Sequence, residues 1–339
     1  MKALVKTRKG PGNLKLRDVD DPKVGPDDVN ILVKAAGICS TDIHICNDDY
    51  PNYPPVILGH ELSGVVHEIG TNISDICIGD RVTCQTGQVL CGTCMYCRTG
   101  ATNLCLHRRS IGSGVNGGFA KYCVVPRDTV HKIPDSVDFD SAAITEPLAC
   151  CVNGMEHAGL SLGDIVVISG PGTVGLLMLQ LAKAHGAKVI MCGISSDLEK
   201  LKLAHTLGAD HCIDVEKENS IPIIMNLTGG YGVDLAIECA GVAASVRQCF
   251  NLIRKRGRYV SMGLTGKDVP ISIDIIVRNE LSIYGSFSHT WSSFRKAVDL
   301  MHQGKVNTKA VIAQRFALKD WQQGFNSIGE GKVLLYPSE

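Results

Sequence analysis

Cys91, Cys94, Cys97 and Cys105 place four thiols within fifteen residues. Four thiolates at that spacing close a tetrahedral shell around a borderline-soft divalent ion, and a shell filled by protein leaves no position for a substrate. The expected role is to hold a loop. An iron–sulfur cluster also takes four cysteines, but nothing else in the chain hints at electron transfer, so zinc is the expected ion. A second pattern, Gly170-Pro171-Gly172-Thr173-Val174-Gly175, is a G-x-G-x-x-G run between an apolar stretch and a helical one. In that context Gly170 allows the tight turn, Gly172 lets the backbone approach a pyrophosphate, and Gly175 lets helix and strand pack closely. The helix opened by Thr173 and Val174 then points its N-terminus at the anion. The alternative is a strand-to-helix turn that binds nothing.

An acid ending the second strand of such a unit would hold the ribose 2′-hydroxyl of NAD. Here that strand ends in Cys192, and Gly193 follows; Asp197 lies four positions too late. Ser195, Ser196 and Lys200 are placed to bond a 2′-phosphate, so NADP is permitted and the balance tips slightly toward it. Read locally, Ser195, Ser196 and Asp197 are instead the N-terminal cap of the next helix. A third set is dispersed: Cys39 in Gly37–His44, then His60 and Glu61, then Glu146 in the run Thr-Glu-Pro-Leu. Taken singly, each has an ordinary reading: a buried thiol, a satisfied histidine, a helix-terminal carboxylate.

Positioning these groups requires two kinds of architecture. The chain has 339 residues, 45% hydrophobic, with 34 basic and 34 acidic side chains. That length suggests two domains, and zero net charge argues against a broad attraction for nucleic acid or anionic membrane. A small-molecule partner is the default. Up to about residue 141, short apolar runs separated by Gly, Pro and Asp turns predict an all-β body. After Gly163 the pattern alternates. Strands are expected at 165–169, 188–192, 212–215, 233–238 and 258–262, with helices at 173–185, 198–207 and 221–227, which predicts a parallel, doubly wound sheet. One amphipathic helix, 294–302, follows, and the apolar run 333–336 is placed to return to the first domain. The uncharged stretch 165–182 reaches membrane-span length, but Gly170, Pro171 and Gly172 break it into strand, turn and buried helix. The N-terminal run lacks the apolar core of a signal peptide, so a cytoplasmic protein with reduced thiols is expected.

In order along the chain stand GICSTDIH, GHELSGVV, GDRV, the four-cysteine lobe, GGFAKY, TEPL, GPGTVG and GKVLL. Together they resemble the zinc-dependent medium-chain dehydrogenase/reductase superfamily, the alcohol dehydrogenase type, over practically the whole length. Glu146-Pro147-Leu148 looks like the polyol and threonine dehydrogenase branch. The resemblance implies a GroES-like β-barrel catalytic domain from 1–148 and 290–339, with a Rossmann NAD(P) domain, 149–289, inserted. It implies two zinc ions per chain. Cys39 and His60 match catalytic zinc ligands, Glu61 matches the third ligand of polyol dehydrogenases, and Glu146 matches a carboxylate that binds the metal directly or through water. Thr41 and His44 match the proton relay, and Asp42 a supporting aspartate. It further implies a homotetramer or homodimer.

The chain departs from sorbitol-type enzymes where Ile45 replaces an aromatic residue and where an Arg-Tyr pair is missing near Ser288 and His289. His289, Trp291, Tyr50 and Tyr53 are candidate pocket residues or surface groups. Arg108 and Arg109 either contact a sugar phosphate or form a solvated charge pair. The expected activity is reversible hydride transfer between NAD(P) and a secondary alcohol of a polyol, sugar acid or related compound. An L-threonine 3-dehydrogenase-like enzyme is the rival, and a non-catalytic nicotinamide-binding protein is a further alternative.

Overall fold

Strand Asp28–Ile38 organises the first of two units in the computed structural model, which describes residues 1–338. That unit comprises Met1–Ala149 and His289–Glu339, and the second comprises Cys150–Ser288. In the first, Asp28–Ile38 pairs antiparallel with Glu61–Ile69, with Tyr122–Pro126 and with the returning strand Lys332–Tyr336. Arg81–Cys84 and Val130–Lys132 extend the sheet on one side and Ile312–Ala317 on the other. Ile31, Val33, Leu62, Val82, Phe119 and Leu335 are fully or almost fully buried in its core, each contributing roughly 1.5–3 kcal/mol by leaving water. The C-terminal apolar run thus closes against the N-terminal sheet, with Leu334 opposite Gly37.

This unit is not all β, contrary to expectation. Ser40–Asn47 is a helix, and Phe139–Ala143 is another. Short helices inside a strand-rich region leave little periodicity to read, and caps rather than apolar spacing set the first one. The Asp42 carboxylate, three positions past the N-cap residue Cys39, accepts the Cys39 N–H at 2.9 Å, which satisfies an end donor and places negative charge at the positive end of the helix. Asp48 ends it in the left-handed conformation at φ 66°.

The second unit holds a six-stranded sheet in the order His211–Asp214, Lys188–Gly193, Ile165–Ser169, Val233–Glu238, Ile253–Ser261, Ser282–Gly285, every pair parallel. The chain builds outward from Ile165–Ser169 to one edge and then returns to build toward the other. The strand order therefore reverses between Ile165–Ser169 and Val233–Glu238, the point where ligands settle at the carboxyl ends of such sheets. The uncharged stretch resolves into strand Ile165–Ser169 and helix Thr173–Ala184, whose residues Gly175–Ala182 are buried. No helix among the described residues is long and apolar enough to cross a membrane. Several elements escaped the sequence reading, helices Thr145–Ala158 and Ile273–Arg278 among them. Helix Ala243–Leu252 buries Val246, Cys249 and Phe250 in one helical stripe, and Ser282–Gly285 is an exposed edge strand without alternation.

Candidate active site

Cys39 directly follows the Asp28–Ile38 strand as the cap of the next helix, while His60 directly precedes and Glu61 opens the neighbouring strand. One ligand atom from each of Cys39, His60 and Glu61 lies within 4.8 Å of the others. A sulfur, an imidazole nitrogen and a carboxylate oxygen converging from separate segments are a donor set that zinc accepts. Asp42 reaches the same place from the first helical turn. Its Oδ1 is 3.6 Å from His60 Nδ1 and accepts the Gly59 N–H at 3.4 Å, so it fixes the ring that presents the other nitrogen. Burial alone would lower the His60 pKa, but Asp42 and Cys39 together raise it well above 6.5.

Glu61 has a partner that sequence reasoning missed. Both of its carboxylate oxygens accept from Lys332 Nζ, at 2.6 and 2.7 Å, and Lys332 also donates to the Ile38 carbonyl at 3.1 Å. Burial opposes the charge on Lys332, yet Glu61 keeps its pKa above the ordinary value, with Cys39 and Glu146 adding to the effect. Register explains the meeting. Gly37 stands opposite Glu61 on one side and Leu334 on the other, and a Cβ at Gly37 would overlap the Glu61 carboxylate. Only glycine leaves that room.

Thr41 and His44 lie one helical turn apart. The Cys39 thiol donates to Thr41 Oγ1 at 3.6 Å, and His44 Nδ1 is 2.9 Å from Asp49 Oδ1 at the half-exposed end. Among the described residues no direct hydrogen bond joins Thr41 to His44, so a relay between them needs a bridging hydroxyl or water. Ile45 is wholly buried in the core. Glu146, in the first turn of helix Thr145–Ala158, is not within the Cys39, His60 and Glu61 cluster. Its Oε1 lies 3.8 Å from His289 Nε2, which in turn is 3.1 Å from the Thr86 hydroxyl. Burial, reinforced by Arg108, lowers the His289 pKa to about 3, so the ring is neutral. Thr86 carried no sequence signal.

The four-cysteine lobe also assembles. Its sulfurs lie within 4.8 Å of one another, with Cys91 at 3.9 Å from Cys97 and 3.6 Å from Cys105. A tetrahedral zinc–thiolate shell has sulfurs about 3.8 Å apart, and none of these thiols is in a disulfide. Backbone N–H groups of Cys94 and Thr93 lower the Cys91 pKa to about 5, whereas desolvation and neighbouring sulfurs push Cys97 up to about 12.

At the carboxyl end of Ile165–Ser169, Gly170 adopts φ 101°, and a Cβ there would lie 2.8 Å from the Ala240 nitrogen. A Cβ on Gly175 would overlap the Gly170 carbonyl, whereas one on Gly172 would meet nothing within 4 Å. The first and third glycines are thus demanded by packing, and the second leaves the backbone at the helix N-terminus open, as a pyrophosphate requires. Gly193 has a steric cause as well: a Cβ would lie 2.9 Å from Pro171 Cγ. The groups expected to meet a 2′-phosphate are engaged by acids. The Ser195 hydroxyl donates to Asp214 at 2.8 Å, its N–H donates to Glu216 at 2.9 Å, and Lys200 pairs with Asp197 at 2.6 Å. Ser196 is exposed.

Comparison with known proteins meets this geometry. The alcohol dehydrogenase GroES-like domain family matches residues 25–135, and the zinc-binding dehydrogenase family matches 173–303. A sorbitol dehydrogenase of Halalkalibacterium halodurans is 39% identical, covering 99% of both chains. A D-arabitol-phosphate dehydrogenase of Enterococcus avium is 38% identical over 98% of this chain and 96% of its own. A zinc-binding dehydrogenase of Sinorhizobium meliloti 1021, solved bound to NADP, superposes with a TM-score of 0.93 at 37% identity, covering 99% of both. With a GroES-like β unit, an all-parallel Rossmann-type sheet and these matches along its length, the chain belongs to the zinc-dependent alcohol dehydrogenase family of medium-chain dehydrogenases.

Proposed function

We propose that this protein reversibly oxidises a secondary alcohol of a polyol, sugar acid or related polyhydroxylated compound, with NAD(P) as redox partner. The observation that carries the reading is the convergence of Cys39, His60 and Glu61 within 4.8 Å, a mixed sulfur, nitrogen and oxygen set suited to a catalytic zinc with an open position. Glu146 stands as a further carboxylate, binding directly or through water. Bound zinc supplies Lewis acidity that lowers the pKa of an alcohol, and the nicotinamide supplies the hydride acceptor. The chain's own residues manage the proton and the charge. The Thr41 hydroxyl takes the alcohol proton while releasing its own through a bridging hydroxyl or water to His44, which, paired with Asp49, passes it to solvent. Asp42 holds the His60 ring, and Lys332 neutralises Glu61. Cys91, Cys94, Cys97 and Cys105 hold a second, structural zinc.

Gly170, Gly172, Thr173, Val174 and Gly175 form the pyrophosphate turn, with Gly193, Ser195, Ser196 and Lys200 about the ribose. The glycine at 193 leaves NADP permitted, and the relative bound to NADP supports it, but Asp214 and Glu216 at Ser195 set negative charge against the slight lean toward NADP. The relatives named for sorbitol and D-arabitol phosphate favour polyhydroxylated substrates over simple alcohols. A cytoplasmic dimer or tetramer completes the reading, on family likeness.

The test is a screen of polyols, sugar acids and L-threonine with both cofactors, read by nicotinamide absorbance. Turnover of polyols that disappears on chelation is expected. Preference for threonine would replace the polyol reading, and inactivity with every alcohol would favour a binding protein.

A further inference from the structure

A line of polar contacts leads away from the candidate metal ligands. His289 Nε2 is 3.8 Å from Glu146 Oε1, Thr86 Oγ1 is 3.1 Å from the same nitrogen, and Arg108 Nη2 donates to Thr86 at 2.7 Å. His289 is only 4% exposed, and its Nδ1 has no hydrogen-bond partner among the described residues. The next residue, Arg109, is exposed, and its guanidinium lies over the Tyr53 ring at 4.9 Å. Arg109 makes no ion pair among the described residues. Tyr53 is tied to the same loop, its N–H donating to the Ser113 carbonyl at 2.9 Å. Strand Arg109–Ser110 pairs with Gly87–Val89, which follows Thr86 directly. Of the two consecutive guanidiniums, that of Arg108 is braced inward through Thr86 toward His289 and Glu146, and that of Arg109 lies over the exposed Tyr53 ring.

We propose that Arg108 and Arg109 form a subsite for the terminal phosphate monoester of a polyol phosphate. The proposal rests on the polyol reading above and names its substrate class. A guanidinium presents donors in a planar fork that matches oxyanions bidentately. A carboxylate is satisfied by one fork, whereas a phosphate monoester, with about −1.5 to −2 charge and three terminal oxygens, engages two. The Tyr53 ring under Arg109 restricts the swing of its head, and the residue stays exposed to a ligand. Hydroxyls along the carbon chain would pass the neutral His289 ring and Thr86.

The experiment compares kcat/KM for pentitols and hexitols, their terminal phosphate esters, and sugar acids of equal length, in the holoenzyme and in Arg109→Gln and Arg109→Lys. Calorimetric binding of each ester provides a readout apart from turnover. The expected result is a preference for the phosphate ester of roughly 10- to 100-fold, the range of a charge-assisted hydrogen bond. Arg109→Gln should shift that ratio toward unity through KM, and Arg109→Lys should recover part of it. Equal or better turnover of the neutral polyol overturns the subsite and leaves the polyol reading standing. A preference for sugar acids also overturns the phosphate assignment. An ester preference unmoved by Arg109→Gln overturns the role of the arginines. Failure to oxidise any of the three overturns the polyol reading and this proposal together.

Discussion

Lys332 and Glu61 form a two-oxygen ion pair at 2.6 and 2.7 Å, with side chains 6% and 1% exposed, at the point where the C-terminal strand meets the candidate metal site. A buried pair of this kind is worth little beyond an apolar replacement of both partners, but removing one partner strands a charge and costs about 3–5 kcal/mol. Lys332→Met is therefore expected to lose about that much stability, read as a fall in the denaturant midpoint at unchanged slope. A loss below about 1 kcal/mol, the size of a surface pair, would mean that Glu61 has other support.

That pair also shows where the sequence stops being legible. The glycine turn at 170–175 and the four-cysteine lobe are readable because their chemistry is local: neighbouring residues supply every group, and spacing alone defines the geometry. Glu61 and Lys332 are 271 positions apart and meet only through the register of two strands on either side of Asp28–Ile38, which no local pattern encodes. The same holds for Thr86 and His289, 203 positions apart. Gly193 is the intermediate case. Its lack of a carboxylate is visible in the sequence, but the steric reason, the Pro171 ring, appears only when the two strand ends are side by side.

Buried histidines should make the protein sensitive to mild acid. His131 packs against Trp291 and Phe294 at 5.3 and 4.8 Å, and burial, aided by Arg295 and Arg127, lowers its pKa from 6.5 to about 4. Between those values the unfolded chain binds a proton that the folded chain refuses, so stability falls as pH drops, by up to about 1.4 kcal/mol per pH unit. Below about 4 this contribution stops changing. His289 has the same sign and extends to about 3. Replacing His131 with Phe should make the decline shallower without abolishing it; denaturation midpoints across the window give the slope. An unchanged slope would show that His131 is protonated in the folded state.

Metal content separates the two sites. The purified chain is expected to carry close to two zinc ions, one per donor cluster. Cys39→Ala should retain about one and keep its fold. Cys97→Ser should lose the other and unfold at lower denaturant, because a structural site contributes its binding energy to folding. Elemental analysis decides the matter: full zinc content in Cys39→Ala would remove the catalytic cluster from the account.

The proton path is tested at Thr41. Valine preserves shape and removes the hydroxyl, so Thr41→Val should lower turnover by about 100- to 10,000-fold, the range of positioned acid–base catalysis. Nicotinamide affinity, measured by fluorescence titration, should be nearly unchanged. Activity equal to wild type would assign the proton to another group.

Cofactor choice is expected to turn on Asp214 rather than on Gly193. The Asp214 carboxylate accepts the Ser195 hydroxyl, and Glu216 accepts the Ser195 N–H, so two acids at and just past the end of strand His211–Asp214 crowd the turn where a 2′-phosphate would lie. Like charges separated by a few ångströms near a surface repel by about 1–4 kcal/mol before salt screening. Asp214→Asn keeps an acceptor for Ser195 and removes one charge. It should tighten NADP binding by roughly tenfold, equivalent to about 1.4 kcal/mol, and leave NAD binding within about twofold. Adding salt should shrink the difference, since the effect is coulombic. If NADP and NAD affinities move together in this variant, Asp214 acts by shaping the turn and not by charge, and the preference lies elsewhere in the ribose site.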